Sequence, residues 1–79
     1  MRFAYALSFH KTTEALSPAQ AARLLKAVKK FESGWEKGEV TRGVGLTHLR
    51  GDFYEFRAGI RERVIFRRSG DLIYYLKRL

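Results

Sequence analysis

Arginine is concentrated in the second half of this 79-residue chain, within segments whose other residues are typical of strands. Six arginines, at positions 50, 57, 61, 63, 67 and 68, lie in the stretch from Arg50 to Asp71 among aromatic and aliphatic side chains. A guanidinium group binds phosphate through a rigid fork of donors, so arginines fixed on strands would hold phosphates at set positions. The alternative is a solvated face on which they pair with Glu55, Glu62 and Asp71.

Alternation along two predicted strands assigns most of these arginines to one face. Side chains of a strand point to opposite faces in turn. Over 53–58 and 61–68, the apolar face receives Tyr54, Phe56, Val64 and Phe66, and the opposite face receives Glu55, Arg57, Arg61, Arg63 and Arg67. Aromatic rings that stack unpaired bases would come from Phe53 and from Tyr75 or Tyr74. This combination favours RNA or single strands over a helix that enters a DNA groove.

The elements that position these residues follow from periodicity and turn signals. Phe3 to Phe9 alternates and predicts a strand, and the six residues from Lys11 to Leu16 predict a short helical segment. Ser17-Pro18 starts a longer helix, which is expected to end near Ser33-Gly34. Its apolar residues recur at helical spacing from Ala21 to Trp35. Glu36 to Gly45 is a predicted loop. A strand beginning at Leu46 and a hairpin turn at Ser69-Gly70 complete a three-stranded meander.

The expected fold class is therefore α+β. It has two layers, a three- or four-stranded antiparallel sheet with one or two helices on one face, in a single domain that covers residues 1–79. The chain has no Cys and only two His, so we expect that neither disulfides nor a zinc site stabilises it. We expect no metal and no cofactor.

The net charge of +8 is the strongest global feature of the composition. Such an excess attracts polyanions: nucleic acid first, then an acidic protein, then an anionic membrane surface. Solubility alone is the plain alternative. No signal peptide and no apolar run of membrane-spanning length is evident, so the sequence predicts a cytoplasmic protein without a membrane partner.

Four short motifs in the second half resemble the RelE/ParE superfamily, the toxins of bacterial type II toxin–antitoxin pairs. They are Leu49-Arg50-Gly51, Tyr54-Glu55-Phe56-Arg57, Arg63-Val64-Ile65-Phe66 and Leu72-Ile73-Tyr74-Tyr75-Leu76. The first half is also similar, with a strand ending at Ser8-Phe9 and a helical hairpin that breaks at Leu16-Ser17-Pro18. The resemblance spans nearly the whole chain.

This resemblance implies a toxin that a cognate acidic antitoxin neutralises. In the RelE-like branch, which we favour, it implies cleavage of mRNA on the ribosome without a metal. Arg63 matches an arginine that contacts the scissile phosphate, and Arg57 matches a basic position on the preceding strand. His48 lies near the position of a catalytic histidine in some members, and Glu55 is a second candidate base. The arginines beside Glu55 favour an orienting role for it. Further RNA contacts are expected from Arg61, Arg67, Tyr75, Lys77 and Arg78.

The end of the chain departs from the RelE-like pattern. Those nucleases usually carry a further Tyr, His or Arg after the last strand, whereas this sequence ends Lys77-Arg78-Leu79. Two alternatives therefore stay open. One is a ParE-like inhibitor of DNA gyrase, and the other is a basic module that binds RNA or an antitoxin without chemistry.

Overall fold

Two helices and five strands make up the computed structural model, which describes residues 2–38 and 45–79. In chain order they are β1 (Arg2–Tyr5), α1 (Leu7–Thr13), α2 (Pro18–Lys37), β2 (Thr47–Arg50), β3 (Phe53–Arg57), β4 (Arg63–Ser69) and β5 (Leu72–Arg78). Both helices pack on one face of one sheet, which confirms the predicted α+β two-layer architecture.

The sheet differs from the expectation in strand number and in one strand direction. It has five strands in the order β1-β5-β4-β3-β2, and β1 runs parallel to β5. The three C-terminal strands form the expected antiparallel meander. Alternation within a segment does not reveal which distant strand it pairs with, so a three- or four-stranded antiparallel sheet was the wrong expectation.

The first strand is shorter than its alternation suggested. It ends at Tyr5, and the Ala6 carbonyl then accepts hydrogen bonds from the backbone N–H groups of Phe9 and His10, which starts α1. Tyr5 and Phe9, four residues apart, bring their rings within 5.4 Å of one another. The predicted strand over Phe3–Phe9 and the predicted helical start at Lys11 were therefore both wrong, because an apolar residue at every second position also suits this turn into a helix.

Helix α2 begins where the sequence predicted. The Ser17 hydroxyl accepts from the Gln20 backbone N–H, the Gln20 side chain accepts from the Ser17 N–H, and Pro18 occupies the first turn. The helix ends at Lys37, not near Gly34, and Gly38 closes it with a φ of +74°. Trp35 packs against Phe31, so apolar contact carries the helix past Gly34. Of the predicted loop, residues 39–44 lie outside the described residues.

The core lies between α2 and the sheet. Phe31 is fully buried and stacks on Phe56 with a ring separation of 4.3 Å. Val64 and Phe66 are also fully buried, which confirms the predicted apolar face of β3 and β4. In the described parts of the chain, no helix combines the length and apolarity needed to cross a membrane.

Candidate functional site

The sheet face turned away from the helices carries a cluster of basic and aromatic side chains. We call it the open face and define it by the residues that the register of β3, β4 and β5 places there: Phe53, Glu55, Arg57, Arg63, Ile65, Arg67, Tyr74 and Lys77. Directly opposed residues of antiparallel strands share a face, so these side chains form rows across β3, β4 and β5. The predicted grouping of Arg57, Arg63 and Arg67 on this face is confirmed.

Three rows succeed one another along the strands. Arg57 opposes Arg63 in the first row, Glu55, Ile65 and Lys77 align in the second, and Phe53, Arg67 and Tyr74 align in the third. Successive rows lie two residues apart, or about 7 Å. The cationic first row and the aromatic third row are therefore separated by about 13 Å.

Arg63 and Glu55 form an ion pair on the open face. Arg63 Nη1 donates to Glu55 Oε1 at 3.3 Å. Arg67 lies at the limit of an ion pair, with its Nε 4.0 Å from Asp52 Oδ2. The pairing that the sequence offered as the alternative explanation for Arg63 is thus real, and it also fixes the direction in which this guanidinium points.

Two cations of the open face, Arg57 and Lys77, make no ion pair with any described residue. The methylene chain of Arg57 lies against Gly45, where an added Cβ would come within 3.0 Å of Arg57 Cγ. Gly45 has a φ of +60° and so suits the site in both space and conformation. An unpaired cation held by close packing is available for an anionic ligand.

His48 is not part of this cluster. It opposes Tyr54 in the register, its ring lies 4.7 Å from the Tyr54 ring, and its Nε2 is 2.7 Å from the Gly51 carbonyl oxygen. Tyr54 belongs to the helix-covered face, so His48 is on the opposite side of the sheet from Arg63. The predicted grouping of His48 with Arg57, Glu55 and Arg63 is therefore wrong.

Tyr75 is a core residue and not a surface for stacking. Its side chain is 0% exposed, and its hydroxyl donates to Glu32 Oε2 at 2.7 Å. Burial, followed by this hydrogen bond and by the charge of Glu32, raises the pKa of Tyr75 far above its usual range. The expected RNA contact through Tyr75 is ruled out by this geometry, and Tyr74 takes its place on the open face.

Arg78 makes contacts that hold the fold together. Its Nε donates to the Thr12 carbonyl at 3.1 Å, its Nη1 contacts Glu62 at 3.3 Å, and its backbone N–H donates to Thr12 Oγ1. Arg78 opposes Val64, on the helix-covered face. The structure therefore does not bring Arg78 together with the cations of the open face, because its donors join α1 and the turn before β4 to β5.

A β-bulge explains why strict alternation failed on β5. The register pairs Ile65 with Lys77 but Phe66 with Tyr75, which leaves Leu76 as an extra residue. The bulge therefore puts Tyr74 and Lys77 on the same face although they are three residues apart. Lys77 was expected as an RNA contact and lies with the other cations, and Tyr74 was one of the two tyrosines considered for stacking. No sequence signal marked the bulge.

Two further arginines lie outside the open face. Arg61 is exposed in the turn between β3 and β4, at the end of the cationic row and not on a strand as predicted. Arg68 lies over the Trp35 ring, 5.3 Å from its centroid, at the edge of the helix-covered face. Within residues 2–38 and 45–79, no three His, Asp or Glu side chains are grouped so that they could hold a metal ion.

Comparison with known proteins places the fold among bacterial and archaeal toxins. The chain is similar to the archaeal RelE–RelB complex from Pyrococcus horikoshii OT3, with a TM-score of 0.76 and 23% identity over 98% of this chain and 90% of that one. It is also similar to the YoeB dimer from Staphylococcus aureus, with a TM-score of 0.74 and 10% identity over 98% and 92% of the two chains.

A third similar structure is the YoeB/ParE toxin from Agrobacterium tumefaciens, with a TM-score of 0.71 and 18% identity over 99% of this chain and 95% of that one. No protein-family model matches the sequence, and neither does any curated protein. The likeness is thus carried by the arrangement of the helices and strands. The chain has the fold of the RelE/ParE toxins.

Proposed function

We propose that this protein is the toxin of a type II toxin–antitoxin pair and cuts mRNA on the ribosome. One observation carries the proposal: on a RelE-like fold, Arg57, Arg63, Arg67 and Lys77 share the open face with two exposed aromatic rings. Fixed cations match the repeating negative charge of a nucleic acid backbone. Exposed rings favour unpaired bases over a duplex.

The proposed reaction is an internal transfer at phosphorus. The 2′-oxygen of a ribose attacks the adjacent phosphorus as its proton passes to a base, and the bond from phosphorus to the 5′-oxygen breaks as that oxygen takes a proton. The products are a 2′,3′-cyclic phosphate and a 5′-hydroxyl. The protein has to supply preorganised positive charge and proton transfer, and we expect no metal requirement.

Arg63 is the proposed donor to the pentavalent phosphate, with Arg57 opposite it in the same row. Glu55 contacts Arg63 and would orient its guanidinium, and it is also the carboxylate nearest to this donor for proton transfer. His48 has no part in this arrangement because it occupies the other face.

A cell-free translation reaction with primer extension on the mRNA tests the proposal. Discrete cuts that appear only when ribosomes are present, and that persist when the protein has been treated with EDTA and dialysed into magnesium buffer, are the expected result. Intact mRNA at protein concentrations that stop translation would contradict it.

A ParE-like inhibitor of DNA gyrase is the second candidate. The position of His48 favours it, since the open face then lacks an imidazole for proton transfer, and one structural neighbour is itself described as a YoeB/ParE toxin. Loss of gyrase supercoiling with intact mRNA would support this candidate. Binding to RNA with neither effect would indicate a non-catalytic module.

The proposed partner is an acidic antitoxin. One structural neighbour is a RelE solved with RelB, and this chain carries a net charge of +8. An acidic segment that neutralises the open face would block access to RNA. Purification of the chain from its native host without an affinity tag should recover a small acidic protein, and recovery of the chain alone would count against the pairing.

A further inference from the structure

The row formed by Phe53, Arg67 and Tyr74 has the composition of a site for unpaired nucleobases. These residues are aligned on three adjacent strands, β3, β4 and β5. Phe53 is 40% exposed and Tyr74 is 37% exposed, so both rings are accessible from solvent. We call this set the aromatic row.

The surroundings of the aromatic row argue against a purely apolar contact. Arg67 lies between the two rings, and the next row along the strands carries Lys77. The contact of Arg67 with Asp52 is long, at 4.0 Å, and both side chains are more than half exposed. A weak, exposed ion pair of this kind costs little to exchange for a phosphate or a base.

Spacing links the aromatic row to the cationic row of Arg57 and Arg63. The separation of about 13 Å equals the rise of about four stacked nucleotides, or fewer when the strand is stretched. A single strand that runs along β4 would therefore place a phosphate at Arg63 and a base a few nucleotides away at the aromatic row. Rigid strands fix this distance.

We propose that the aromatic row is a stacking subsite for bases of single-stranded RNA, a few nucleotides from the phosphate held at Arg63. This inference rests on the proposed function. It adds to that function the part of the RNA whose bases, and not only its phosphates, contact the protein. Stacking tolerates any base, so the subsite selects unpaired RNA and leaves the base sequence open.

Binding of two short oligoribonucleotides to the purified protein tests the inference. One is a heptamer of uridine, and the other has the same ribose-phosphate backbone with its central bases removed. Fluorescence anisotropy at several salt concentrations gives both the affinity and the number of phosphate contacts.

Phe53→Ala and Tyr74→Ala should each weaken binding of the uridine heptamer by at least about fivefold, since stacking on one ring is typically worth at least this much. Neither variant should change binding of the abasic oligonucleotide or the salt dependence, because no phosphate contact is lost. Tyr74→Phe and Phe53→Tyr, which keep the ring, should bind as the wild type does.

Arg63→Ala is the matched control for a backbone contact. It should weaken both oligonucleotides alike and reduce the salt slope by about one. If the alanine variants at the aromatic row weaken both oligonucleotides equally, or neither, the stacking subsite is refuted while ribosome-dependent cleavage is unaffected. Variants that lose only the acidic antitoxin would likewise refute it, by assigning the row to a protein contact.

Discussion

At the scale of single residues, Arg63 combines a fixed direction with an exposed position. Its pair with Glu55 aims the guanidinium across the open face, and nearly half of its side chain remains exposed. A charge placed in this way is preorganised for an anion that arrives from solvent.

Arg63→Ala should slow mRNA cleavage by about 100- to 1000-fold, by comparison with the removal of one oxyanion donor. Stability should fall by no more than about 1 kcal/mol, because partly exposed ion pairs contribute little. Growth arrest on induction reports the effect on cleavage, and urea unfolding measures the effect on stability. Arg23→Ala, at an exposed position of α2, is the matched control and should stay toxic. If the Arg63→Ala variant does not fold, Arg63 has a structural role.

Tyr75 is the buried polar residue on which stability should depend most. Tyr75→Phe removes the hydrogen bond to Glu32 and leaves that carboxylate without its partner, so we expect a loss of about 1–3 kcal/mol at pH 7. Tyr74→Phe, on the open face, should leave the stability unchanged. Urea unfolding of both variants at pH 7 distinguishes the two tyrosines.

The raised pKa of Tyr75 also predicts the alkaline limit of the fold. In the unfolded chain tyrosine ionises near pH 10, whereas folded Tyr75 keeps its proton. Its contribution is therefore complete below pH 10 and declines above it, by about 1.4 kcal/mol per pH unit. The stability difference between wild type and Tyr75→Phe should shrink between pH 10 and 11. A constant difference would show that the hydroxyl is not held as described.

At the scale of elements, two neighbouring basic residues at the end of β5 have different roles. Arg78 joins α1 and the turn before β4, whereas Lys77 points to the open face. Arg78→Met should lower the free energy of unfolding by about 1–3 kcal/mol, because Glu62 and the Thr12 carbonyl lose their partner. Lys77→Met should keep the stability and reduce the salt slope of RNA binding. Equal stability of the two variants would contradict this division.

At the scale of the whole molecule, the net charge of +8 predicts a strong salt dependence for the proposed binding to RNA. If about six cations of the open face and its margins contact phosphate, affinity should fall roughly a thousandfold between 50 and 200 mM salt. Anisotropy with a single-stranded RNA over this range measures the slope. A flat response would remove the electrostatic basis for the proposed function.

The sequence by itself determined the helix-covered face and the basic face of β3 and β4. Period-two alternation over Tyr54–Arg57 and Arg63–Arg67 is a local property, and burial of one face fixes the register of the strands. The start of α2 was also readable, because the Ser17 capping box and Pro18 act within one helical turn.

Tertiary structure alone decided what depends on distant partners. The parallel pairing of β1 with β5, the bulge at Leu76 and the side on which His48 lies all arise from contacts between strands. Those contacts bury Tyr75 in the core, direct the donors of Arg78 to α1 and place Tyr74 beside Arg67. Local patterns identify which residues are able to do chemistry. Pairing between strands decides which of them lie on the same face, because a shift of one residue in register exchanges the two faces of a strand.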